Sequence, residues 1–352
     1  MGSGRTTGPR DPRQDVIERH FGESAPLSLG VEEEVMILDA ETLEPAAAVH
    51  VLLQGAAELE LPGSMKTELH ASVVELTTGI CADADEAIAA LRKLRRAADD
   101  IARANGLVIA AAGAHPTALL ESLPVVQEER YLQMLERVGR AARRQGVNGL
   151  HVHVGVESAE HCYERLEAVL SWLPVVLALS ANSPFADGEA TGMLSNRAEI
   201  LTQLPRAGAP PAFGSYDGFE AWVERLMRIG VLEDYTRIWW DVRPHPHLGT
   251  LEIRVADQPT SLERTALLVR VMRGLVADAP AQRTDRGDYV QNRWAAARFG
   301  LDAELIHPDG ERAVSARELA RELLGAEPPE PEALTQLSAT LPAADLVART
   351  VA

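Results

Sequence analysis

Lysine is nearly absent: Lys66 and Lys93 are the only two in 352 residues. Almost all remaining positive charge is arginine, and 52 acidic against 34 basic residues give a formal charge of −18. So acidic a chain repels phosphate backbones and anionic headgroups, which argues against general nucleic-acid or membrane-surface binding. The lysine of a Walker loop is missing too. Lys66 follows Met65 rather than glycine, and no strand precedes the glycines at 2, 4 and 8. Cysteine is limited to Cys81 and Cys162, far apart and in no metal-like spacing. A disulfide framework is therefore not expected. No apolar run is long enough to span a bilayer, and the polar, arginine-bearing start of the chain has no apolar leader core. A soluble cytoplasmic protein is expected.

What the chain does have is a repeated alternation of carboxylate and apolar residues. Glu32-Glu33-Glu34 runs into Val35-Met36-Ile37-Leu38. In a strand, Glu32 and Glu34 share one face and Glu33 takes the other. A solvated strand end would read the same way, but the pattern recurs. His151-Val152-His153-Val154 places both imidazoles on one side. Thr250-Leu251-Glu252-Ile253-Arg254-Val255 places Glu252 and Arg254 opposite Leu251, Ile253 and Val255. Glu75 is hemmed in by Val73-Val74 and Leu76. Glu68 lies seven residues before it, so both face one site only if the chain bends near Ala71-Ser72. Upstream of Glu252, Trp239-Trp240-Asp241-Val242-Arg243-Pro244-His245-Pro246-His247 concentrates aromatic, acidic, basic and imidazole groups in a proline-stiffened stretch.

Strands are predicted near 27–38, in the second half of 65–78, and at 107–112, 150–156, 237–243 and 250–256. Helices are predicted over 83–105, 128–145, 159–181 (interrupted at Pro174), 217–229 and 260–278, with another starting at Ser315 and a short final one. Residues 183–216 are rich in glycine and proline and read as a long loop. Residues 1–25 read as a flexible polar tail, and 26–352 as a single catalytic domain. Strands apolar on one side only imply an antiparallel or mixed sheet with helices on its other face, an α+β fold. Five glutamates and one or two histidines on the polar face could hold hard cations. Mg²⁺ prefers such oxygen ligands and bridges them to phosphates. Arg243 and Arg254 could clamp phosphoryl oxygens.

Taken in order, these motifs, with Lys66-Thr67-Glu68 and Asn292-Arg293-Trp294-Ala295-Ala296-Ala297-Arg298-Phe299-Gly300, closely resemble the ATP-dependent carboxylate–amine ligases, or glutamate–cysteine ligase type 2. The resemblance runs from about 27 to about 345. It implies a glutamine synthetase-like catalytic domain: a curved, mostly antiparallel sheet with helices on its convex face and ATP and Mg²⁺ on its concave face. It implies amide formation through an acyl phosphate, with L-glutamate and L-cysteine as the model pair, and activity with that pair is weak in some members. By the same resemblance Glu32, Glu68 and Glu75 form one metal site, and Glu34, His151 and Glu252 another. Arg254 contacts the γ-phosphate and is the catalytic candidate, with Arg243 also on the nucleotide. Arg197, Arg243 and His153 are the substrate-binding candidates. The chain departs from the pattern at His247, where the resemblance implies arginine in several relatives. A zinc hydrolase of amidohydrolase type using His151 and His153, and an inactive relative that binds a small ligand, stay open. A homo-oligomer is compatible with the sequence.

Overall fold

The computed structural model describes residues 17–281 and 283–351. Its centre is a seven-stranded sheet. The strands are β1 (Leu29–Asp39), β2 (Gly63–Thr67), β3 (Val73–Thr78), β4 (Leu107–Ala110), β5 (Gly149–Gly155), β6 (Val242–His245) and β7 (Thr250–Asp257). They lie in the order β6-β7-β5-β1-β3-β2, with β4 beside the second half of β1, and neighbours run antiparallel. The mostly antiparallel open sheet matches the expectation from alternating strands. The described residues form no β/α barrel, the frame an amidohydrolase-type zinc site needs.

The helices are α1 (Val49–Ala56), α2 (Ala84–Ala104), α3 (Glu129–Val138), α4 (Arg140–Arg143), α5 (Ala159–Leu170), α6 (Leu173–Ser180), α7 (Asn196–Leu201), α8 (Tyr216–Arg228), α9 (Leu262–Asp278), α10 (Arg286–Phe299), α11 (Ala316–Leu324), α12 (Glu332–Ser338) and α13 (Pro342–Thr350). Asp83 caps α2 by accepting from the Glu86 amide, and Asn105-Gly106 ends it with Gly106 at φ +72°. Ser315 caps α11 by accepting from the Glu318 amide, as its spacing predicted, while α9 is capped by Ser261, one residue after the Thr260 of the Thr260-Ser261-Leu262-Glu263 box. The apolar sides of β1, β5 and β7 (Val31, Val35, Val152, Val154, Leu251, Ile253) join Leu91, Leu94, Val169, Val176, Leu268 and Met272 from α2, α5, α6 and α9 in the main core. Each fully buried aliphatic side chain contributes roughly 1.5–3 kcal/mol over an exposed one. This packing anchors one face of the sheet, so the opposite face can carry charge.

Glu33 points into the helix side. Arg95 of α2 grips it with two bonds of 2.7 Å, while Gln258 and Thr265 donate to the same carboxylate. The rest of the Arg95 guanidinium reaches the carbonyls of Pro259, Thr260 and Thr350. The pair is fully satisfied and ties β1 to α2, α9 and the end of α13.

Several expectations change. The strand expected in the second half of 65–78 is β3 and the bend expected near Ala71-Ser72 is the turn that leads into it, but the residues before that turn form a further strand, β2, paired with β3. The 128–145 helix breaks at Gly139 (φ +70°), whereas the 159–181 helix is interrupted at Pro174 as expected, with the proline in the first turn of α6. The 183–216 loop contains α7 and three two-residue strands. Of the expected tail, residues 1–16 lie outside the described residues. Residues 17–25 pack on the body: Ile17 is buried, the His20 amide donates to Pro246 O, and the Gly22 amide donates to Val156 O. The polar stretch hid two apolar anchors, Ile17 and Phe21, that pack against Tyr216.

Candidate active site

The register of the sheet builds the site. Glu34 stands opposite Glu75 of β3, which stands opposite Lys66 of β2. Glu32 stands between Thr77 and His151, and His153 stands opposite Glu252, which stands opposite Arg243. Alternation therefore delivers Glu32, Glu34, Glu75, His151, His153, Glu252 and Arg254 to one face, as the period of two required. The reversal after Thr67 carries Glu68 to the same side. A cavity of about 90 Å³ is lined by Glu34, Glu68, His151, Arg197, Trp239 and Arg254, among others.

The carboxylates split into two electrostatic groups. Burial alone would raise Glu32, yet the hydrogen bond from His151 and the closeness of the His153 imidazole outweigh it and hold the carboxyl well below its usual range. Its oxygens lie 3.2 Å from His151 Nδ1 and 3.6 Å from His153 Nε2. Glu252 is likewise held low against burial, by Arg243, Arg254 and His153 together. Arg243 reaches it at 2.5 and 3.4 Å, and Arg254 Nη1 contacts its Oε1. Glu34, Glu68 and Glu75 are opposite in character. Burial drives all three upward, Glu34 to about 7 and Glu68 to about 8, and repulsion from Glu34 and Glu75 adds to the rise at Glu68. Lys66, 3.2 Å from Glu75, compensates only in part. Such crowding asks for a cation.

The donor set fits a divalent metal. His153 Nε2 is buried without a hydrogen-bond partner, between Glu32 at 3.6 Å and Glu252 at 3.9 Å. Thr250 Oγ1, 3.1 Å from His153 Nδ1, orients the ring. Among the described residues, Glu32, His153 and Glu252 bring ligand atoms within 4.8 Å of one another. This grouping cuts across the two sites implied by resemblance, placing Glu32 with Glu252 and adding His153. His151 bridges the groups, 3.2 Å from Glu32 and 3.9 Å from Glu34.

The arginines are deployed unequally. Arg243 is committed to Glu252 and to the carbonyls of Thr236 and Ile238, which makes it a brace. Arg197 is buried and donates to Val255 O and Arg254 O, and it still lines the cavity beside Glu34. Arg254 sits where the β5–β7 register shifts, between Ile253 and Ala256. Its amide donates to Asp241 O, and the Asp241 carboxylate is clamped by Arg293 and Tyr289 of α10 at 2.6 Å each. The motif around Asn292-Arg293 thus positions Arg254 from a distance. That link was not legible in the sequence, because Asp241, Arg293 and Arg254 lie on separate elements.

The glutamate–cysteine ligase family 2 model matches residues 28–350. The chain belongs to that family. It is 40% identical over 311 residues to a Rubrobacter xylanophilus protein, covering 88% of this chain and 85% of the relative. It is 38% identical over 298 residues to the glutamate–cysteine ligase of Haloferax volcanii, covering 82% and 83%. In fold it is similar to a glutamate–cysteine ligase of Francisella tularensis solved in complex with AMP. There the TM-score is 0.63 at 17% identity, over 86% of this chain and 78% of that one.

Proposed function

We propose that the chain is an ATP- and Mg²⁺-dependent carboxylate–amine ligase that joins L-glutamate to L-cysteine through an acyl phosphate. The observation that carries this reading is the single polar sheet face. It gathers five glutamates, two imidazoles and Arg254 over a packed core. Family membership supports the ligase class, and the name of the Haloferax relative supports the substrate pair.

Glu32, His153 and Glu252 would hold one Mg²⁺, and Glu34, Glu68 and Glu75 another. When bound, such ions neutralise and align phosphate oxygens. The substrate carboxylate attacks the γ-phosphorus of ATP, and ADP leaves. The amine then attacks the acyl carbon, phosphate leaves, and the nitrogen gives up its proton. Arg254 lies against Glu252 with its backbone fixed by Asp241 and Arg197, so its guanidinium is preorganised to meet charge growing on the transferring phosphoryl. Arg197, beside Glu34, offers a cationic contact for a substrate carboxylate. His151, lowered to about 4 chiefly by burial and next by Arg254, stays neutral at pH 7 and leaves a lone pair for a cation or a proton. Two buried free cysteines suit a reducing cytoplasm.

The test is an ADP-release screen of amino acids and amines with mass detection of the amide. Glutamate with cysteine should give γ-glutamylcysteine and one ADP per amide. Amide hydrolysis without ATP, or no turnover with any pair, would remove the reading.

A further inference from the structure

A second cluster of metal-ligand side chains lies outside the sheet face. We propose that Glu18, His20 and His247 form a site for a borderline divalent cation of the Zn²⁺ class, which latches the N-terminal segment to the loop entering β7. These three residues bring ligand atoms within 4.8 Å of one another. His20 Nε2 lies 3.2 Å from Glu18 Oε1, His247 Nδ1 lies 3.9 Å from Glu18 Oε2, and the two rings meet edge to face at 5.4 Å. Two imidazoles and one carboxylate suit Zn²⁺ better than Mg²⁺, which prefers oxygen throughout.

Two independent features show that the cluster is held in place. The first is the support behind His20. Glu23 Oε2 lies 2.8 Å from His20 Nδ1, so the other nitrogen is turned toward Glu18. A carboxylate behind a ligating imidazole is the usual way a protein fixes the tautomer and ring orientation at a metal. The second is the backbone clamp between the segments. The His20 amide donates to Pro246 O at 2.9 Å, and Gly249 sits at φ +66° so close to the His20 carbonyl that a Cβ there would lie 2.2 Å from its oxygen. Residues 20 and 247 are therefore brought together before any ion arrives. The loop it tightens follows directly on His245, the last residue of β6, whose ring packs on His153 at 5.3 Å. The latch thus reaches the edge of the polar face without supplying a group to it.

The experiment counts Zn²⁺ bound after equilibrium dialysis in the presence of millimolar Mg²⁺. It compares the wild-type chain with His20→Ala, His247→Ala and the double variant. Each single variant should bind one Zn²⁺ fewer than wild type, and the double variant should lose no more than the singles, because three ligands serve one ion. His247→Asp, which returns an oxygen donor, should keep the ion and serves as the check on folding. The His247 side chain is largely exposed, so in chelator the variant at this position should melt within about 2 °C of wild type. Equal Zn²⁺ counts in wild type and both alanine variants, or loss of the ion to millimolar Mg²⁺, would overturn the site.

Discussion

Replacing Arg254 with lysine separates catalysis from structure at one residue. If Arg254 only neutralised Glu252, lysine would serve, because Glu252 keeps Arg243 at 2.5 and 3.4 Å. The backbone at 254 would also stay in place, since Asp241 and Arg197 hold its amide and carbonyl rather than its side chain. Stability should therefore change by less than about 1.5 kcal/mol. Lysine cannot supply a planar fork of donors. Losing one oriented donor to developing charge costs about 2.7–4 kcal/mol, or 10²–10³ in turnover. The assay is ADP release at saturating ATP, glutamate and cysteine, with KM for ATP measured separately and melting recorded alongside. The expected result is a turnover lower by about 10²-fold or more, a smaller change in KM, and a nearly unchanged melting curve. Rates within about threefold of wild type would make Arg254 a plain ion-pair partner and refute the transition-state role.

Glu33→Gln should lower stability by about 3–5 kcal/mol in urea titrations, because it strands the buried Arg95 charge. The protein that remains folded should keep its turnover, since Glu33 faces away from the site; a loss below 1 kcal/mol would contradict the pairing. In the metal-free protein, Glu34 and Glu68 hold protons up to about 7 and about 8 that an unfolded chain releases near 4.3. Their contribution is fully present below the unfolded pKa and is lost as pH rises through 7 to 8. Buried His70, His151 and His245, lowered to about 4, act the other way, but only below pH 6.5. Melting in EDTA should thus fall between pH 6.5 and 8, by on the order of 2 kcal/mol, and Mg²⁺ should reverse the fall. A flat or rising profile would count against carboxylate crowding. Glu34→Gln keeps an acceptor for the Gly149 amide and removes one charge, so it should melt higher at pH 8 in EDTA and need more Mg²⁺ for the same rate; unchanged Mg²⁺ dependence would exclude Glu34 as a ligand.

Much of the site was legible because strands repeat every two residues. The faces of Glu32 and Glu34, His151 and His153, and Glu252 and Arg254 follow from spacing alone, and Glu33 was correctly turned away. What stayed hidden depended on contacts between distant elements. The β2–β3 reversal has no Gly or Asn turn signal within His70-Ala71-Ser72, so the bend near Ala71-Ser72 could not be read as a pairing of two strands with Glu68 just past the end of the first. Arg95 sits in the apolar stripe of α2, yet an arginine on a helix reads as surface until a buried carboxylate such as Glu33 is known to face it. Helices α1 and α10 went unassigned, although α10 supplies the Arg293 and Tyr289 that hold Asp241. The N-terminal stretch reads as a tail because only Ile17 and Phe21 among its polar neighbours mark the packing.

The most direct test of the account follows oxygen. Glutamate labelled with ¹⁸O in its side-chain carboxylate is turned over with ATP, Mg²⁺ and cysteine, and the released phosphate is analysed by mass. Activation by phosphoryl transfer moves one carboxylate oxygen onto phosphorus, so each phosphate should carry one ¹⁸O. Amide formed with unlabelled phosphate would contradict an acyl phosphate and, with it, the role assigned to this face of the sheet.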